Sequence, residues 1–265
     1  MIKFIAMDFD NTLISYESGK ERISPALINF FERYIENDFH AGIVSGREKW
    51  DFQECMLARG ETWGKNFPDY IISREAYIYK IEKGKYIEFT DYNNMVSKKI
   101  SNTIRKVAAH IETILHTFEK SGIIINKWFI YSDFAVEIHV DGNYNYAVNV
   151  LNNVLTELQI KNTAVHRNKN MITIYDKYAG KGNTLKVLTQ RLDIKPCEVL
   201  AIGDSYNDLS MIDGQMGFVG ACVGNADENL KKIVLKNGGY VGKGTAHDGV
   251  LDIIVQLKDE GKIIC

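Results

Sequence analysis

Two aspartates lie at the predicted end of the first strand, and their spacing could support chemistry. The apolar run of residues 2–7 is followed directly by Asp8-Phe9-Asp10-Asn11-Thr12. Ligands of parallel sheets bind at the carboxyl ends of the strands, where Asp8 and Asp10 would lie close together. Clustered carboxylates can hold a divalent cation, or one can attack an electrophile while the other transfers protons. Taken alone, the pair could equally be two solvated turn residues.

A second pair of acidic residues follows another apolar run. Gly203-Asp204-Ser205-Tyr206-Asn207-Asp208 comes directly after Val199-Leu-Ala-Ile. Here too, Asp204 and Asp208 lie where a predicted strand ends and a helix begins. Aspartate is favoured at the start of a helix in any case, so this motif alone also fits an ordinary N-cap.

Two short motifs could bind a phosphoryl group. Ser45-Gly46-Arg47 follows the predicted strand that ends at Val44, and its hydroxyl and backbone amides could bind phosphoryl oxygens at a helix N-terminus. Lys181 lies between two glycines before another predicted helix, where its charge could neutralise a phosphate. Each motif has an ordinary alternative, a turn that starts a helix and a surface lysine.

The elements that must position these residues alternate between strand and helix. Residues 1–78 and 178–265 have the short strand–helix units of a doubly wound parallel α/β sheet. Residues 79–177 instead predict an inserted α+β domain with antiparallel strands. In this insert, a hairpin turns at Lys83-Gly84 and one long helix runs from Val96 to about Phe118.

The composition excludes several classes of protein. The 265 residues include 32 basic and 34 acidic side chains, for a net charge of −2, which argues against a nucleic-acid partner. No apolar run approaches the roughly 20 residues of a membrane span. The four cysteines are scattered without a CxxC pair, which favours a reducing compartment. We therefore expect a cytoplasmic protein without a membrane partner.

The four motifs occur in a fixed order, and each falls at a predicted strand end or helix start outside the insert. In residue type and order, they resemble the four motifs of the haloacid dehalogenase-like phosphatase superfamily. The resemblance covers residues 1–75 and 178–265 and implies a Rossmann-like core. The insert, between the second and third motifs, resembles the type II α/β cap of Cof-type and sucrose-phosphatase-like hydrolases.

The resemblance implies a role for each catalytic residue. Asp8 would be the nucleophile that forms an aspartyl-phosphate, and Asp10 would protonate the leaving alcohol and then activate water. Ser45 would donate a hydrogen bond to a phosphoryl oxygen, and Lys181 would offset the negative charge. Substrate contacts would come from Thr12, Gly46, Arg47 and Asn207, with Thr12 also supporting its loop.

The resemblance also implies Mg²⁺ as cofactor. The implied metal residues are Asp8, Asp10 (through its backbone carbonyl), Asp204 and Asp208, the last acting from behind the others or through water. A carboxylate can approach a phosphate dianion only when cations cancel the repulsion. The implied Mg²⁺ would supply such a cation, so the implied ligands agree with the charge that the reaction requires.

Together these observations predict a Mg²⁺-dependent phosphomonoesterase acting on a small phosphorylated metabolite, for which we expect a sugar phosphate. A phosphomutase would use the same residues, and a non-catalytic phosphate-binding scaffold is a second alternative. A phospho-aspartate receiver module fits less well, because receivers carry no large insert. The sequence leaves open whether the protein is a monomer or a homodimer.

Two regions carry less certain expectations. Where Cof-type proteins usually have Asn-Gly-Ala after the third core strand, this chain has Arg74-Glu75-Ala76. Arg74 therefore either binds a second anionic group or pairs with Glu75. In the insert, Trp128, Phe129 and Tyr131 are expected to pack into its core. Basic and histidine side chains of the insert could contact the leaving group or form solvated strand faces; they are Lys127, His139, His166, Arg167 and Lys169.

Overall fold

The computed structural model of the chain divides into two compact units. It describes residues 1–16, 22–37, 39–58, 67–131, 134–168 and 170–263, so that Lys169 lies outside the described residues. The larger unit comprises Met1–Thr90 and Gly180–Cys265, and the smaller unit comprises Asp91–Ala179. In the part of the chain that is described, no helix combines the length and apolar character needed to cross a membrane.

The elements follow one another in a regular order along the chain. The strands are β1 Phe4–Met7, β2 His40–Val44, β3 Tyr70–Ser73, β4 Tyr77–Glu82, β5 Lys85–Glu88, β6 Ile124–Tyr131, β7 Ala135–Asp141, β8 Thr163–Asn168, β9 Met171–Asp176, β10 Val199–Gly203, β11 Val219–Cys222 and β12 Tyr240–Val241. The helices are α1 Pro25–Glu36, α2 Lys49–Ala58, α3 Thr90–Ala109, α4 Ile111–Lys120, α5 Tyr144–Glu157, α6 Lys181–Arg191, α7 Leu209–Ile212, α8 Glu228–Lys236 and α9 His247–Asp259.

The larger unit is built on an eight-stranded sheet in the order β12-β11-β10-β1-β2-β3-β4-β5. The six strands from β12 to β3 are parallel, and β4 and β5 continue the sheet as an antiparallel hairpin. The chain thus moves outward from β1 in both directions, as in a doubly wound fold. The expected fold class is confirmed.

Apolar strands and a capped helix account for this sheet. Every residue of β1 is buried, as a strand covered on both faces requires. Helix α1 starts with Pro25, whose ring suits the first helical turn, and the Ser24 hydroxyl accepts a hydrogen bond from the backbone N–H of Leu27. Leu27 and Phe31 of this helix belong to the same core as Ile5 of β1.

The smaller unit has an antiparallel sheet in the order β6-β7-β9-β8. Alternate residues of its two central strands are buried; they are Val136, Ile138, Val140, Ile172 and Ile174. Buried side chains of α3, α4 and α5 complete the core of the unit. The strand β6 lies at the edge of the sheet and is largely exposed on both faces.

The structure differs from expectation at three places. The hairpin β4–β5 belongs to the larger sheet, so the unit boundaries fall at 90/91 and 179/180, whereas the sequence suggested 78/79 and 177/178. The predicted long helix is interrupted at His110, between α3 and α4. Its buried positions Val107, Ile111 and Ile114 keep helical spacing across the break, so periodicity could not reveal it.

The third difference concerns the aromatic cluster of β6. Trp128, Phe129 and Tyr131 are 40%, 42% and 47% exposed, and the expectation that they pack into a core is wrong. An edge strand has a neighbour on one side only, which leaves large side chains uncovered. Aromatic residues are favoured in strands generally, and their type therefore does not distinguish an edge from a core position.

Candidate active site

The predicted site residues lie at one edge of the larger sheet. Asp8 follows β1, Ser45 follows β2 and Asp204 follows β10, and these three strands are neighbours. The parallel register aligns Met7 of β1 with both Ile43 of β2 and Ile202 of β10. The three carboxyl ends are therefore level, at the point where the strand order reverses and where ligands bind in such sheets.

A buried lysine joins two carboxylates at the centre of this edge. Lys181 is the first residue of α6, and its side chain is completely buried. Its Nζ donates hydrogen bonds to Asp8 Oδ1 at 2.6 Å and to Asp208 Oδ1 at 2.5 Å. A buried ammonium needs such partners, because charge taken out of water is costly unless it is paired.

Asp208 is held from its other side by the backbone. Its Oδ2 accepts hydrogen bonds from the backbone N–H groups of Asp204 at 2.9 Å and Ser205 at 3.0 Å. A Cβ at position 203 would lie 2.4 Å from the Cβ of Asp208, so only glycine permits this close approach. Asp208 therefore fixes both the Lys181 ammonium and the loop that carries Asp204.

Three carboxylates could hold a metal ion. One oxygen each from Asp8, Asp204 and Asp208 lies within 4.8 Å of the others. The Thr12 hydroxyl donates a hydrogen bond to Asp204 Oδ1 at 3.2 Å and so orients that carboxylate. Carboxylate oxygens are the ligands that hard divalent cations such as Mg²⁺ prefer, so the donor set fits this ion.

The pKa values within this cluster indicate a need for more positive charge. Burial and the neighbouring Asp208 raise the pKa of Asp8 well above its ordinary value. The same two causes raise the pKa of Asp204 from 3.8 to about 7. Burial opposes the charge on Lys181, but the carboxylates of Asp208 and Asp8 outweigh it and raise the pKa of the ammonium. Without a bound cation, the cluster is therefore more stable when these carboxylates take up protons.

Asp10 faces a different partner. Arg47 binds it through two parallel hydrogen bonds, from Nε to Oδ2 and from Nη2 to Oδ1, each 2.7 Å long. The hydrogen bond to Asp10 raises the pKa of the guanidinium above its ordinary value. The guanidinium carbon also lies 5.6 Å from the centre of the Phe9 ring. Although the sequence groups Asp10 with Asp8, the side chain of Asp10 does not belong to the three-carboxylate cluster.

The loop after β2 is tied to the turn between β3 and β4. The Ser45 carbonyl accepts a hydrogen bond from the Glu75 N–H at 2.9 Å, and Ser45 Oγ accepts one from the Arg47 N–H at 3.3 Å. The Ser73 hydroxyl and the Arg74 N–H both donate to the Arg47 carbonyl, at 2.9 Å each. Gly46, between these anchored residues, is exposed.

Glu75 is a residue of this site that sequence reasoning did not assign to it. Its Oε1 accepts a hydrogen bond from Asn207 Nδ2 at 3.4 Å and lies 3.7 Å from where a Cβ of Gly46 would be. Burial raises the pKa of the carboxyl, and Asp208 adds to this effect. Arg74, the preceding residue, forms an ion pair with Glu48.

The backbone geometry of this turn suits the Asn-Gly that the resemblance led us to expect. Arg74 and Glu75 have φ values of 49° and 56°, in the left-handed region that glycine and asparagine tolerate best. The departure from Asn-Gly was visible in the sequence, but the direction of the Glu75 side chain was not. The backbone carbonyl of Glu75 also accepts hydrogen bonds from the Gly180 N–H and the Thr184 hydroxyl. These two bonds hold the start of α6 close to the turn.

Asn225 supports the site from the loop after β11. Its Nδ2 donates to the Asn11 carbonyl at 2.8 Å, and its Oδ1 accepts from the Ala246 N–H at 2.8 Å. The amide thus bridges the loop of the first aspartates to the loop that precedes α9.

The candidate contact residues of the smaller unit have partners within that unit. Lys127 Nζ lies 5.6 Å from the Phe129 ring centre, and His139 lies beside Glu137. His166 is hydrogen-bonded to Tyr175, and Arg167 donates to Asn145 at 2.9 Å.

Comparisons with known proteins identify the family of this chain. A family model described as haloacid dehalogenase-like hydrolase matches residues 5–254. A phosphoglycolate phosphatase from Methanospirillum hungatei is 34% identical over 238 residues, which cover 88% of each chain. An HMP-PP phosphatase from Serratia proteamaculans is 21% identical over 259 residues, again covering 88% of each chain.

A solved structure extends the similarity to the whole fold. The sucrose-phosphatase of a Synechocystis species, solved with sucrose and phosphate, superposes with a TM-score of 0.71 at 19% identity. The match covers 97% of this chain and 99% of that one. The family match, the more similar of the two phosphatases and this fold lead to one assignment. The chain belongs to the haloacid dehalogenase-like hydrolase family and is a phosphatase of its Cof type.

Proposed function

We propose that this phosphatase is a Mg²⁺-dependent phosphomonoesterase that forms an aspartyl-phosphate on Asp8. The observation that supports it most is the 2.6 Å hydrogen bond from Lys181 Nζ to Asp8 Oδ1. It gives a carboxylate at a strand end a fixed orientation and a permanent positive neighbour. A nucleophile of this kind splits ester hydrolysis into two easier displacements.

The charges at the site indicate that the reaction needs a further cation. A phosphate dianion and the Asp8 carboxylate repel each other, and one ammonium shared with Asp208 offsets only part of that repulsion. Asp8 and Asp204 would hold Mg²⁺ together with the backbone carbonyl of Asp10, and Asp208 would orient them. The bound ion would supply positive charge for the phosphoryl oxygens. The raised pKa values of Asp8 and Asp204 support this need for a cation.

The remaining residues would position the substrate and transfer protons. The Ser45 hydroxyl and the Gly46 N–H would donate hydrogen bonds to phosphoryl oxygens, with Thr12 holding the loop and Asn207 lining the site. Asp10 would give a proton to the leaving alcohol and then remove one from the attacking water. Catalysis of phosphoryl transfer consists mainly of such positioning and charge stabilisation.

For the substrate, we propose a small phosphorylated metabolite, most simply a sugar phosphate. The structural similarity to a sucrose-phosphatase supports this class, and the phosphoglycolate phosphatase relative makes phosphoglycolate a second substrate to test. The larger unit would be the catalytic core and the smaller unit the inserted cap. Cys55, Cys197 and Cys222 are free thiols, which supports our proposal that the protein works in the reducing cytoplasm.

Phosphate release from a panel of esters tests the proposal. The panel includes sugar phosphates, phosphoglycolate and p-nitrophenyl phosphate, each with Mg²⁺ and with a chelator. Asp8→Asn is the inactive variant, and Asp141→Asn, an exposed residue at the end of β7, is the matched control. We expect Mg²⁺-dependent release that is lost in Asp8→Asn and kept in Asp141→Asn.

Two outcomes would contradict the proposal. Near-normal turnover by a folded Asp8→Asn protein would exclude the aspartyl-phosphate. Transfer of the phosphoryl group back to an organic acceptor, without net phosphate release, would identify a phosphomutase instead.

A further inference from the structure

We propose that Arg47 is a positioning residue for Asp10, stabilising the anion that forms as Asp10 gives up its proton and holding that carboxylate while the aspartyl-phosphate exists. The inference rests on the proposed function, in which Asp10 transfers protons. It assigns to Arg47 an action on a catalytic carboxylate, beyond the substrate contact that the sequence suggests.

The geometry of the pair supports this role. The two hydrogen bonds of 2.7 Å join Nε and Nη2 of the guanidinium to the two carboxylate oxygens, an arrangement that fixes the plane of the carboxylate as well as its position. Arg47 is itself anchored at its backbone, where the carbonyl accepts hydrogen bonds from Ser73 and Arg74. The guanidinium thus extends from a fixed main chain toward Asp10.

The pair has features that a purely stabilising ion pair would not need. The side chains of Arg47 and Asp10 are 31% and 37% exposed, and ion pairs with this exposure contribute little to stability. Both oxygens of Asp10 are engaged, so neither can carry the proton for the leaving alcohol until one hydrogen bond opens. The arrangement therefore fits the part of the cycle in which Asp10 is a carboxylate, and one hydrogen bond must open when Asp10 takes up a proton.

The proton inventory of the reaction is consistent with this cycle. As Asp8 forms its bond to phosphorus, the bond from phosphorus to the ester oxygen breaks, and the Asp10 proton passes to that oxygen. Asp10 is then the carboxylate that Arg47 binds with two hydrogen bonds. Water next attacks phosphorus, the bond from phosphorus to the Asp8 oxygen breaks to restore that carboxylate, and Asp10 takes up a proton from the water as phosphate leaves. An interaction that strengthens as the carboxylate forms lowers the barrier of the first step.

Two esters with similar rings separate this role from substrate binding. Benzyl phosphate releases an alcohol that needs a proton, whereas p-nitrophenyl phosphate releases a stable phenolate that does not. Rapid mixing of excess enzyme with each ester in Mg²⁺ measures the first release of alcohol or phenol. For Arg47→Gln, we expect benzyl alcohol release to slow about 10- to 100-fold and nitrophenol release to slow less than about 3-fold.

A double-variant cycle identifies the group through which Arg47 acts. In the Asp10→Asn background, adding Arg47→Gln is expected to change benzyl alcohol release less than about 2-fold, because the interaction partner is already altered. Arg47→Lys keeps the charge but not the paired donors, and we expect an intermediate rate from it. Thermal unfolding of each variant checks that it is folded.

The possible results have distinct meanings. Equal slowing of both esters, additive effects in the double variant, or faster benzyl alcohol release by Arg47→Gln would each overturn the positioning role. If the wild-type protein releases neither leaving group and no phosphate from any ester of the panel, the proposed function itself fails. Wild-type turnover with an unchanged Arg47→Gln protein would overturn only the present inference.

Discussion

Two cations form ion pairs of nearly equal length with carboxylates at the same edge of the sheet, but in different environments. Lys181 contacts Asp8 and Asp208 at 2.6 and 2.5 Å, and all three side chains are almost fully buried. Arg47 contacts Asp10 at 2.7 Å, with about a third of each side chain exposed. The contacts of Lys181 and Arg47 therefore differ in their exposure to solvent and not in their length.

The difference in solvation separates a fixed charge from a movable one. A buried ammonium between carboxylates cannot leave, because each group would then lack its counter-charge in a poorly solvated place. A half-exposed guanidinium can exchange its carboxylate for water at little cost. The first arrangement suits a nucleophile that must stay in place, and the second suits an acid–base group that must move.

The largest effect is expected from removing the buried cation. Lys181→Met leaves Asp8 and Asp208 without their ammonium, and we expect a loss of about 3–5 kcal/mol in the free energy of unfolding. Activity should fall about 1000-fold or more, because the nucleophile loses its positive neighbour. Urea unfolding and phosphate release measure both, with Lys186→Met on the exposed side of α6 as control. Equal stability of the two variants would contradict the role given to the buried cation.

A smaller effect is expected from pH. The pKa of Asp204 is about 7 in the folded protein against an ordinary 3.8, so between these values the folded state binds more protons than the unfolded state. Without Mg²⁺, stability should therefore be greatest near pH 4 and decrease as pH rises to about 7. Between pH 5 and pH 7, we expect the loss from this group to be about 2 kcal/mol.

Thermal unfolding from pH 5 to pH 8 in a chelator checks this dependence. Asp204→Asn should flatten it, and Mg²⁺ should raise the melting temperature at pH 8 in the wild type more than in that variant. A wild-type protein that gains stability from pH 5 to pH 8 would contradict the raised pKa.

A gain in stability is expected at the turn next to the site. Glu75→Gly removes a side chain from a residue with φ of 56° and also removes a buried carboxyl, so the free energy of unfolding should rise by about 0.5–1 kcal/mol. Lys83→Gly is the control, because Lys83 has φ of 51° but is exposed in the β4–β5 turn. Urea unfolding of both should give the larger gain for Glu75→Gly. A loss there would mean that the contact with Asn207 outweighs the strain.

The smallest effect on stability is expected at the exposed pair. Arg47→Gln should change the free energy of unfolding by about 0.5 kcal/mol or less, because water replaces the lost partner of Asp10. Chemical denaturation measures the change under the same conditions as for Lys181→Met. A loss as large as that of Lys181→Met would remove the distinction between the two pairs.

Local patterns were sufficient for much of the fold and for the composition of the site. An apolar run that ends in Asp8 or Asp204 indicates a buried strand and its carboxyl end. The hairpin β4–β5 was harder to place, because an antiparallel pair can end a parallel sheet or begin an insert with the same local sequence. The pairing of β4 with β3 places the hairpin in the larger sheet.

Within the site, the pairing of charges could not be predicted from the sequence. Asp8 and Asp10 are two residues apart, yet one binds Lys181 and the other binds Arg47, 173 and 37 residues away in sequence. The position of Glu75 beside Asn207 likewise depends on a turn in the left-handed region, where a side-chain direction follows from backbone angles.

The sequence by itself determined which chemical groups are present and at which strand ends they lie, because apolar periodicity and residue type are local properties. Only the tertiary structure decided which carboxylate meets which cation and how much water reaches each pair. Those outcomes depend on strand order, on the close approach at Gly203 and on the depth at which each side chain is buried. Each of these brings together residues that are far apart in the chain, and solvation then gives similar ion pairs different roles.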